Sequence, residues 1–251
     1  MKFIAALQFL TGIPLPWRRE ASPEELERSV VYFPVIGLVI GLILAGLNWL
    51  FSLVFPSSVV NVFLLVSLAI ITGALHLDGF ADTCDGIAGH KPTEDRHQVM
   101  HDSRVGGFGV VGVVLLLLVK YVSLSSIPGP LMMMTLVFMP VVSRWAMVYA
   151  LFAYPYARPS GLGKVFKQGA SWPRFTAATL ITFVVAVFFI PLFHLVGLIL
   201  MFSVWMITVA TAAYLKGKFS GLNGDTYGFI NEVAEVCVLI LVIVLARLGL
   251  A

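Results

Sequence analysis

Charged side chains are scarce in this sequence of 251 residues, because Asp, Glu, Lys and Arg make up only 12% of it. In a soluble domain, about a quarter of the residues are charged. Hydrophobic residues make up 59% of the chain, and the mean hydropathy is +0.98. The scarcity of charge therefore excludes a soluble globular domain and indicates a polytopic membrane protein.

Cysteine is also scarce, since the chain contains only Cys84 and Cys237. The two lie far apart in sequence and in different settings, so no disulfide is expected. A cleavable signal is not evident either, because no small-residue cleavage site follows the apolar stretch 3–10. That stretch is too short to span a bilayer and is expected to lie in the membrane interface.

Long apolar runs are abundant in the rest of the chain. The linkers after the first, third and fifth runs are short and nearly uncharged, whereas those after the second, fourth and sixth are long and polar. We therefore predict a single all-α membrane domain, 1–251, with about seven transmembrane helices. The seven runs, each about long enough to cross a bilayer, are 32–55, 59–77, 107–124, 131–153, 175–193, 196–215 and 233–250.

The placement of positive charge predicts the orientation of these helices. All but three of the 16 Lys and Arg residues lie in the segment 1–31 or in the long polar linkers, the exceptions being Lys120, Arg144 and Arg247. The acidic residues are assigned to the same side or to its membrane boundary. By the positive-inside rule that side is cytoplasmic, and the C-terminus is expected on the other side.

The polar stretch 76–109 contains six of the chain's 13 acidic residues. Asp78, Asp82 and Asp85 are spaced i, i+4, i+7, so in a helix their carboxylates share one face. Hard cations such as Mg²⁺ prefer carboxylate oxygens, and a cation would relieve the repulsion among three neighbouring charges. We predict a metal site within an Asp-rich active-site loop, 78–106; the alternative is a solvated, helix-capping acidic patch.

Further candidate residues flank these aspartates. Asp102 could complete the metal site, and Arg104 could hold a phosphate. The alternative is a surface pairing of Asp102 with Arg104 beside a glycine-rich turn. His76 could orient a carboxylate or move a proton, or it is a satisfied histidine at the membrane boundary.

Three basic residues lie inside predicted spans, and Arg247 is near the end of the last one. Arg144 is mid-span, where an arginine indicates a functional site, with a metal-site carboxylate or a substrate phosphate as its expected partner. A structural buried ion pair is the alternative. Lys120 is expected to extend its amine to the far interface instead.

The linker after the fourth run contains Arg158, Gly161, Gly163 and Lys164. It combines flexible backbone with positive charge, which suits a bound phosphate. A basic loop that binds anionic lipid is the alternative.

The last polar linker contains Asn223 and Asp225 in a predicted turn, followed by Glu232 and Glu235 at the start of the last run. These two glutamates are either helix-start acids that complement the helix dipole or a second polar cluster that faces the aspartates. The predicted metal carboxylates, basic loops and intramembrane arginine meet on one cytoplasmic side. Phosphoryl transfer needs this combination of groups.

Two segments are similar to the signature of the adenosylcobinamide-GDP ribazoletransferases, also called cobalamin-5′-phosphate synthases: TGALHLDGFADTCDGIAG and MHDSRVGGFG. Four more resemble the family's other blocks in the same order: ALQFLTGIPLP, YFPVIGLVIG, RPSGLGKVF and GLNGDTYGFINEVAEV. The resemblance covers essentially the whole chain. Cys84 departs mildly from the small residue usual there. Asn223 replaces the threonine of a G-x-T-G-D motif, which puts a role of that side chain in doubt.

The resemblance implies that adenosylcobinamide-GDP and α-ribazole, or its 5′-phosphate, are joined to adenosylcobalamin, or its 5′-phosphate, with release of GMP and with Mg²⁺ as cofactor. It implies a bacterial inner membrane and membrane lipid as a partner. No nucleic acid is expected, and a homo-oligomer is an open alternative.

Hypothetical roles follow from this reaction. The metal ligands would be Asp78, Asp82, Asp85 and Asp102. One of these carboxylates, with Asp82 preferred, or His76 would take the hydroxyl proton. The phosphates would be held by Arg104, Arg158 and Lys164, and the other substrate-binding candidates are Arg144, Gly161, Gly163, Asn223, Asp225, Glu232 and Glu235.

Other functions remain alternatives. A CDP-alcohol phosphotransferase or an Asp-rich membrane prenyltransferase also pairs carboxylates with a metal and a diphosphate, but Asp82 stands where the former's D-G-x-x-A-R motif has alanine. A cation transporter or channel would need carboxylates deep in several spans, whereas these acids gather at one surface.

Overall fold

A computed structural model of the protein describes residues 1–13, 21–88, 92, 96–97, 99–100, 104–188 and 195–250. Helices make up most of this part of the chain, with one short 3-10 turn at Val30–Tyr32. The α-helices are α1 (Lys2–Leu10), α2 (Pro23–Ser29), α3 (Phe33–Ser52), α4 (Ser57–Ile71), α5 (Leu75–Ile87), α6 (Gly107–Ser126), α7 (Gly129–Ala153), α8 (Leu162–Gly169), α9 (Trp172–Phe188), α10 (Val196–Phe219) and α11 (Gly224–Arg247).

Several of these helices are long and apolar enough to cross a membrane. Among the described residues, five do so alone: α2 continued into α3, α6, α7, α10 and α11. The pairs α4–α5 and α8–α9 raise the number to seven if each pair is one broken span. The prediction of an all-α, multi-pass membrane protein is confirmed.

Both broken pairs turn through about a right angle. Helix α5 lies at 89° to α4, and α8 lies at 88° to α9. The second apolar run was predicted to continue to residue 77, but α4 ends at Ile71, and Gly73 and Ala74 both adopt positive φ. Helix α5 therefore leaves the direction of α4 at these two residues. The predicted loop 78–106 is helical as far as Ile87.

Helix α7 is the centre of the bundle, since most of its side chains are buried. It packs closely against α3, where Gly37 and Gly41 face its backbone. A Cβ atom at Gly41 would lie 2.7 Å from Val137 Cα, so only glycine permits this approach. Two glycines four residues apart on one helix suit this close packing between helices.

The last helix begins earlier than the apolar run predicts. Helix α11 starts at Gly224 rather than at 233, because Asn223 caps it through a reciprocal pair of hydrogen bonds with Thr226. Glu232 and Glu235 therefore lie two to three turns inside the helix and are buried. The interpretation of these glutamates as helix-start acids is wrong.

Candidate active site

A cavity of about 480 Å³ opens where the polar linkers meet at one end of the bundle. Segments distant in sequence line it: α1, the start of α5, the linker between α7 and α8, and the start of α11. Its polar side includes Asp78, Arg158 and Asp225. The structure thus brings together three of the residues that the sequence pattern singled out.

Arg158 is held beside Asp225 by a contact between two linkers. Tyr156 and Leu222 form an isolated parallel bridge, in which Ala157 N donates to Leu222 O (2.8 Å) and Leu222 N donates to Pro155 O (2.8 Å). Arg158 Nη2 then donates to Asp225 Oδ2 at 2.8 Å. The bridge therefore places a positive and a negative side chain together at the cavity wall.

Gly221 is needed for this bridge. Its φ of +149° is a conformation that other residues rarely adopt, and a Cβ atom there would lie 2.9 Å from Ala157 N. The glycine-rich character of the last polar linker therefore has a structural cause at this position.

The Asp-rich helix α5 crosses the start of α11 at a glycine. A Cβ atom on Gly79 would lie 2.8 Å from Asp225 O, so the two backbones are in contact. Burial and the neighbouring charges of Asp225, Asp78 and Asp85 raise the pKa of Asp82 to about 7, although Arg158 opposes the shift. The carboxylates gathered here exceed the positive charge beside them, which is an arrangement that favours a bound cation.

Asp85 has a different set of partners from Asp82, although both belong to α5. Its two carboxylate oxygens accept hydrogen bonds from Gly106 N and Gly109 N, each at 2.8 Å. A Cβ atom at either glycine would collide with this carboxylate. Asp85 thus satisfies free N–H groups at the start of α6; its role as a metal ligand stays a prediction.

The carboxylates fit magnesium better than a metal that needs a closed protein cage. Within the described residues, no three His, Cys, Asp or Glu side chains come close enough to hold an ion by themselves. Magnesium is usually held by one or two carboxylates together with water and substrate phosphates. Asp78 and Asp82 can supply the two carboxylates. Asp102, the fourth predicted ligand, lies outside the described residues.

The predicted phosphate-binding loop lines the same cavity. Gly161 and Gly163 both belong to its wall, and Gly161 has a φ of +114°. The ring of Tyr156 occupies the space that a side chain at Gly163 would need. Lys164 is exposed and donates to Pro159 O at 2.6 Å, and Arg104 is exposed ahead of α6.

Three of the predicted site residues form instead a buried ion cluster with Lys120 inside the bundle: Arg144, Glu232 and Glu235. Lys120 Nζ donates to Glu232 Oε2 (2.5 Å) and Glu235 Oε2 (2.6 Å). Arg144 donates to the other oxygen of Glu235. Two positive and two negative charges therefore neutralise one another, as buried charges require. The expectation that Lys120 reaches the far interface is wrong, because its amine is enclosed by the two glutamates.

The structure does not place this cluster on the cavity wall. Arg144, Glu232 and Glu235 are enclosed by the bundle, and the buried Asn223 caps α11, so none of them lines the cavity. Their substrate-binding role stays a prediction, which would require contact with parts of the substrate outside this cavity.

His76 connects the buried ion cluster with the cavity. Its ring is 2% exposed, it lines the cavity, and its Nδ1 lies 3.4 Å from Arg144 Nη2. The other ring nitrogen, Nε2, has no hydrogen-bond partner among the described residues. A buried nitrogen without a hydrogen-bond partner is a candidate acceptor for a proton, or for a hydrogen bond from a substrate hydroxyl.

The aromatic side of the cavity was missed by the sequence reasoning. Phe9, Phe33 and Phe166 come from three different helices and pack against one another at this wall. Hydrophobicity did not distinguish them from the other phenylalanines of a strongly apolar chain. The signal that could have found them is that each lies in or beside a segment resembling a family block.

Comparison with known proteins gives consistent matches over nearly the whole chain. A family model described as cobalamin-5-phosphate synthase matches residues 2–243. A protein of Geotalea daltonii named adenosylcobinamide-GDP ribazoletransferase is 39% identical over 246 residues, 98% of each chain. A protein of the same name from Roseiflexus sp. is 36% identical over 93% of this chain and 86% of its own. No solved structure matches the chain.

Proposed function

Because the chain belongs to the cobalamin-5-phosphate synthase family, we propose that it is an adenosylcobinamide-GDP ribazoletransferase. It would join adenosylcobinamide-GDP to α-ribazole, or to the 5′-phosphate of α-ribazole, and release GMP. The products would be adenosylcobalamin, or its 5′-phosphate, so the enzyme would act late in cobalamin biosynthesis.

One structural observation supports this proposal. Arg158, Asp225 and Asp78 meet at a single cavity although they come from three separate segments of the chain. Cleavage of a diphosphate needs cationic groups for the phosphate oxygens and carboxylates for a divalent ion and a proton. The cavity supplies both kinds of group at one place.

The reaction would proceed by displacement at phosphorus. A ribose hydroxyl of α-ribazole would attack the phosphorus attached to cobinamide, a new P–O bond would form, and the diphosphate bond to GMP would break. Arg158 would hold the phosphate oxygens as charge develops on GMP. The hydroxyl proton would pass to Asp82 or to His76 Nε2, which has no other described partner.

We include magnesium in this proposal. Asp78 and Asp82 would hold the ion, and the negative charge of Asp225 acts on Asp82 as well. Asp85 and Asp102 are the further proposed ligands. When bound, the ion would neutralise part of the negative charge on the diphosphate. Burial and the neighbouring carboxylates raise the pKa of Asp82, and the crowding of these carboxylates supports a cation at this place.

The proposed location is the inner membrane of a bacterium, with the cavity on the cytoplasmic side. The distribution of lysine and arginine supports this orientation, because the cavity is lined by the N-terminal segment and the basic polar linkers.

The direct test uses purified protein in nanodiscs with adenosylcobinamide-GDP, α-ribazole phosphate and Mg²⁺. We expect release of GMP, a strong loss on chelation of the metal, and recovery when Mg²⁺ is added back. An Arg158→Met variant should raise the KM for adenosylcobinamide-GDP, and Arg158→Lys should restore part of the loss. A correctly folded wild-type protein that releases no GMP would disprove the function.

A further inference from the structure

The cavity has two chemically different halves. Phe9 and Phe166 have ring centroids 4.3 Å apart, and Phe33 lies 5.5 Å from Phe166. Met147 and Leu151 of α7 also line the cavity. Like Phe33 and Phe166 they are almost fully buried, so Phe9 presents most of the aromatic surface. The polar residues of the lining include Asp78, Arg158 and Asp225, of which the last two are hydrogen-bonded to each other. A ligand that fills the cavity therefore needs an apolar, flat end and a polar end.

The volume restricts which substrate can fill it. A cavity of about 480 Å³ is of the size that encloses one drug-sized ligand. Of the two proposed substrates, adenosylcobinamide-GDP is far larger because it carries a corrin ring, an adenosyl group and a nucleotide. α-Ribazole, a riboside of one bicyclic base, is of the right size.

The chemistry of the aromatic wall also separates the base of α-ribazole from guanine. Phenylalanine side chains offer no hydrogen-bond donor or acceptor, so Phe9, Phe33 and Phe166 cannot satisfy the polar edge of guanine. Burying those groups without partners would cost free energy. The dimethylbenzimidazole of α-ribazole is flat and carries methyl groups on its outer edge, so an aromatic wall matches it.

We propose that the wall formed by Phe9, Phe33 and Phe166 is the subsite for the base of α-ribazole and determines specificity for it. The ribose then lies toward Asp78 and Arg158, where the attacking hydroxyl is needed. Adenosylcobinamide-GDP enters through the open mouth and places only its diphosphate at the polar half. This assignment rests on the proposed function.

The subsite gives the short helix α1 a role in substrate binding. Helix α1 does not span the membrane, yet Ala6 and Leu10 are fully buried against the bundle. This packing carries Phe9, which is half-buried, to the cavity wall. Phe9 is therefore the member of the wall whose replacement disturbs the core least.

The test uses the full chain in nanodiscs and compares Phe9→Leu with Phe3→Leu. Phe3 lies on the same helix, packs against Tyr32 and does not line the cavity. Loss of the aromatic contacts should raise the KM for α-ribazole about five- to tenfold, while the KM for adenosylcobinamide-GDP stays within about twofold. Phe3→Leu should leave both constants unchanged.

Phe9→Met provides a variant that keeps most of the side-chain volume and should fold normally. Its KM for α-ribazole should lie between those of the wild type and Phe9→Leu. Calorimetry with α-ribazole alone gives a readout that does not depend on turnover. We expect α-ribazole to bind the wild type, to bind Phe9→Leu more weakly, and to be displaced poorly by guanosine.

The outcomes separate the subsite from the proposed function. A raised KM for adenosylcobinamide-GDP with an unchanged KM for α-ribazole would overturn the subsite but not the function. A wild-type protein that binds no α-ribazole, or that binds guanosine more tightly at this wall, would also overturn it. Binding of α-ribazole that weakens in Phe9→Leu, without any release of GMP, would support the subsite and disprove the transferase.

Discussion

Three aspartates on one helical face have different surroundings. Asp78 is exposed at the cavity, Asp82 lies among other carboxylates, and Asp85 accepts hydrogen bonds from two backbone amides. The spacing places them together, but the contacts of each side chain with other helices determine its chemistry. Their replacements should therefore have different effects on activity and stability.

Asp82→Asn should abolish turnover without weakening the fold. The substitution removes a carboxylate from the proposed metal and proton site, so GMP release should fall at least about a hundredfold. Because it also removes one of several repelling charges, the melting temperature should stay the same or rise. The measurements are the rate of GMP release and thermal unfolding in nanodiscs.

The matched control for Asp82→Asn is Glu24→Gln. Glu24 pairs with Arg28 on the exposed face of α2 and should be replaceable at no cost to activity. A near-normal rate for Asp82→Asn would remove this residue from the site.

Single contacts determine how whole helices are arranged. The approach of α3 to α7 depends on glycines, and the start of α6 depends on the carboxylate of Asp85. Changes at these contacts should therefore alter the stability of the bundle.

Gly41→Ala should destabilise the bundle, whereas Gly46→Ala should not. A methyl group at Gly41 meets the backbone of Val137, which cannot move aside without separating α3 from α7. Overpacking of this kind costs about 1–3 kcal/mol. No atom lies within 4 Å of a methyl group at Gly46 on the same helix. The free energies of unfolding of both variants in detergent provide the comparison, and equal values would contradict the packing argument.

Asp85→Ala should lower stability by about 1–2 kcal/mol, because the amides of Gly106 and Gly109 lose their acceptor. Asp85→Asn keeps one oxygen acceptor and should lose less. Thermal unfolding without Mg²⁺ separates capping from metal binding. If Asp85→Ala were fully stable without metal yet bound Mg²⁺ more weakly, its main role would be that of a ligand.

At the scale of the whole molecule, buried charge ties the bundle together. The ion cluster joins α6, α7 and α11, and His76 extends the contacts to α5. Unsatisfied charge in a membrane interior is costly, so this arrangement permits few alternative packings of the helices.

Lys120→Met should be strongly destabilising, and adding Glu232→Gln should restore much of the loss. The single variant leaves an excess negative charge in the interior, which costs about 3–5 kcal/mol. The double variant retains one positive and one negative charge, because Arg144 still pairs with Glu235. Unfolding free energies for the two single variants and the double variant measure the coupling. A double variant less stable than Lys120→Met would contradict charge balance.

The orientation of the molecule can be tested with reporters. With seven spans the N-terminus and C-terminus lie on opposite sides, so a reporter fused after residue 251 should be external while one fused before residue 1 is cytoplasmic. A reporter that is active only in the cytoplasm and one that is active only outside it, each fused to each end, would show on which side of the membrane each terminus lies. Reporters on the same side would show that one bent helix pair does not cross the membrane.

The sequence by itself determined the class of the molecule and the residues of greatest chemical interest. Low charge and repeated apolar runs are local properties, so they predict a helical membrane protein without knowledge of contacts. The spacing of Asp78, Asp82 and Asp85 likewise predicts one helical face, which α5 has. The family blocks identified the reaction because they record residue types in a fixed order.

Only the tertiary structure decided which partners these residues have. Lys120 and Glu232 are 112 positions apart, and no local pattern predicts that they meet. The same reason explains why the capping role of Asp85 and the aromatic wall of Phe9, Phe33 and Phe166 were missed. The partner of a buried charge or ring is supplied by whichever helix packs against it, and that choice is made by the assembled bundle.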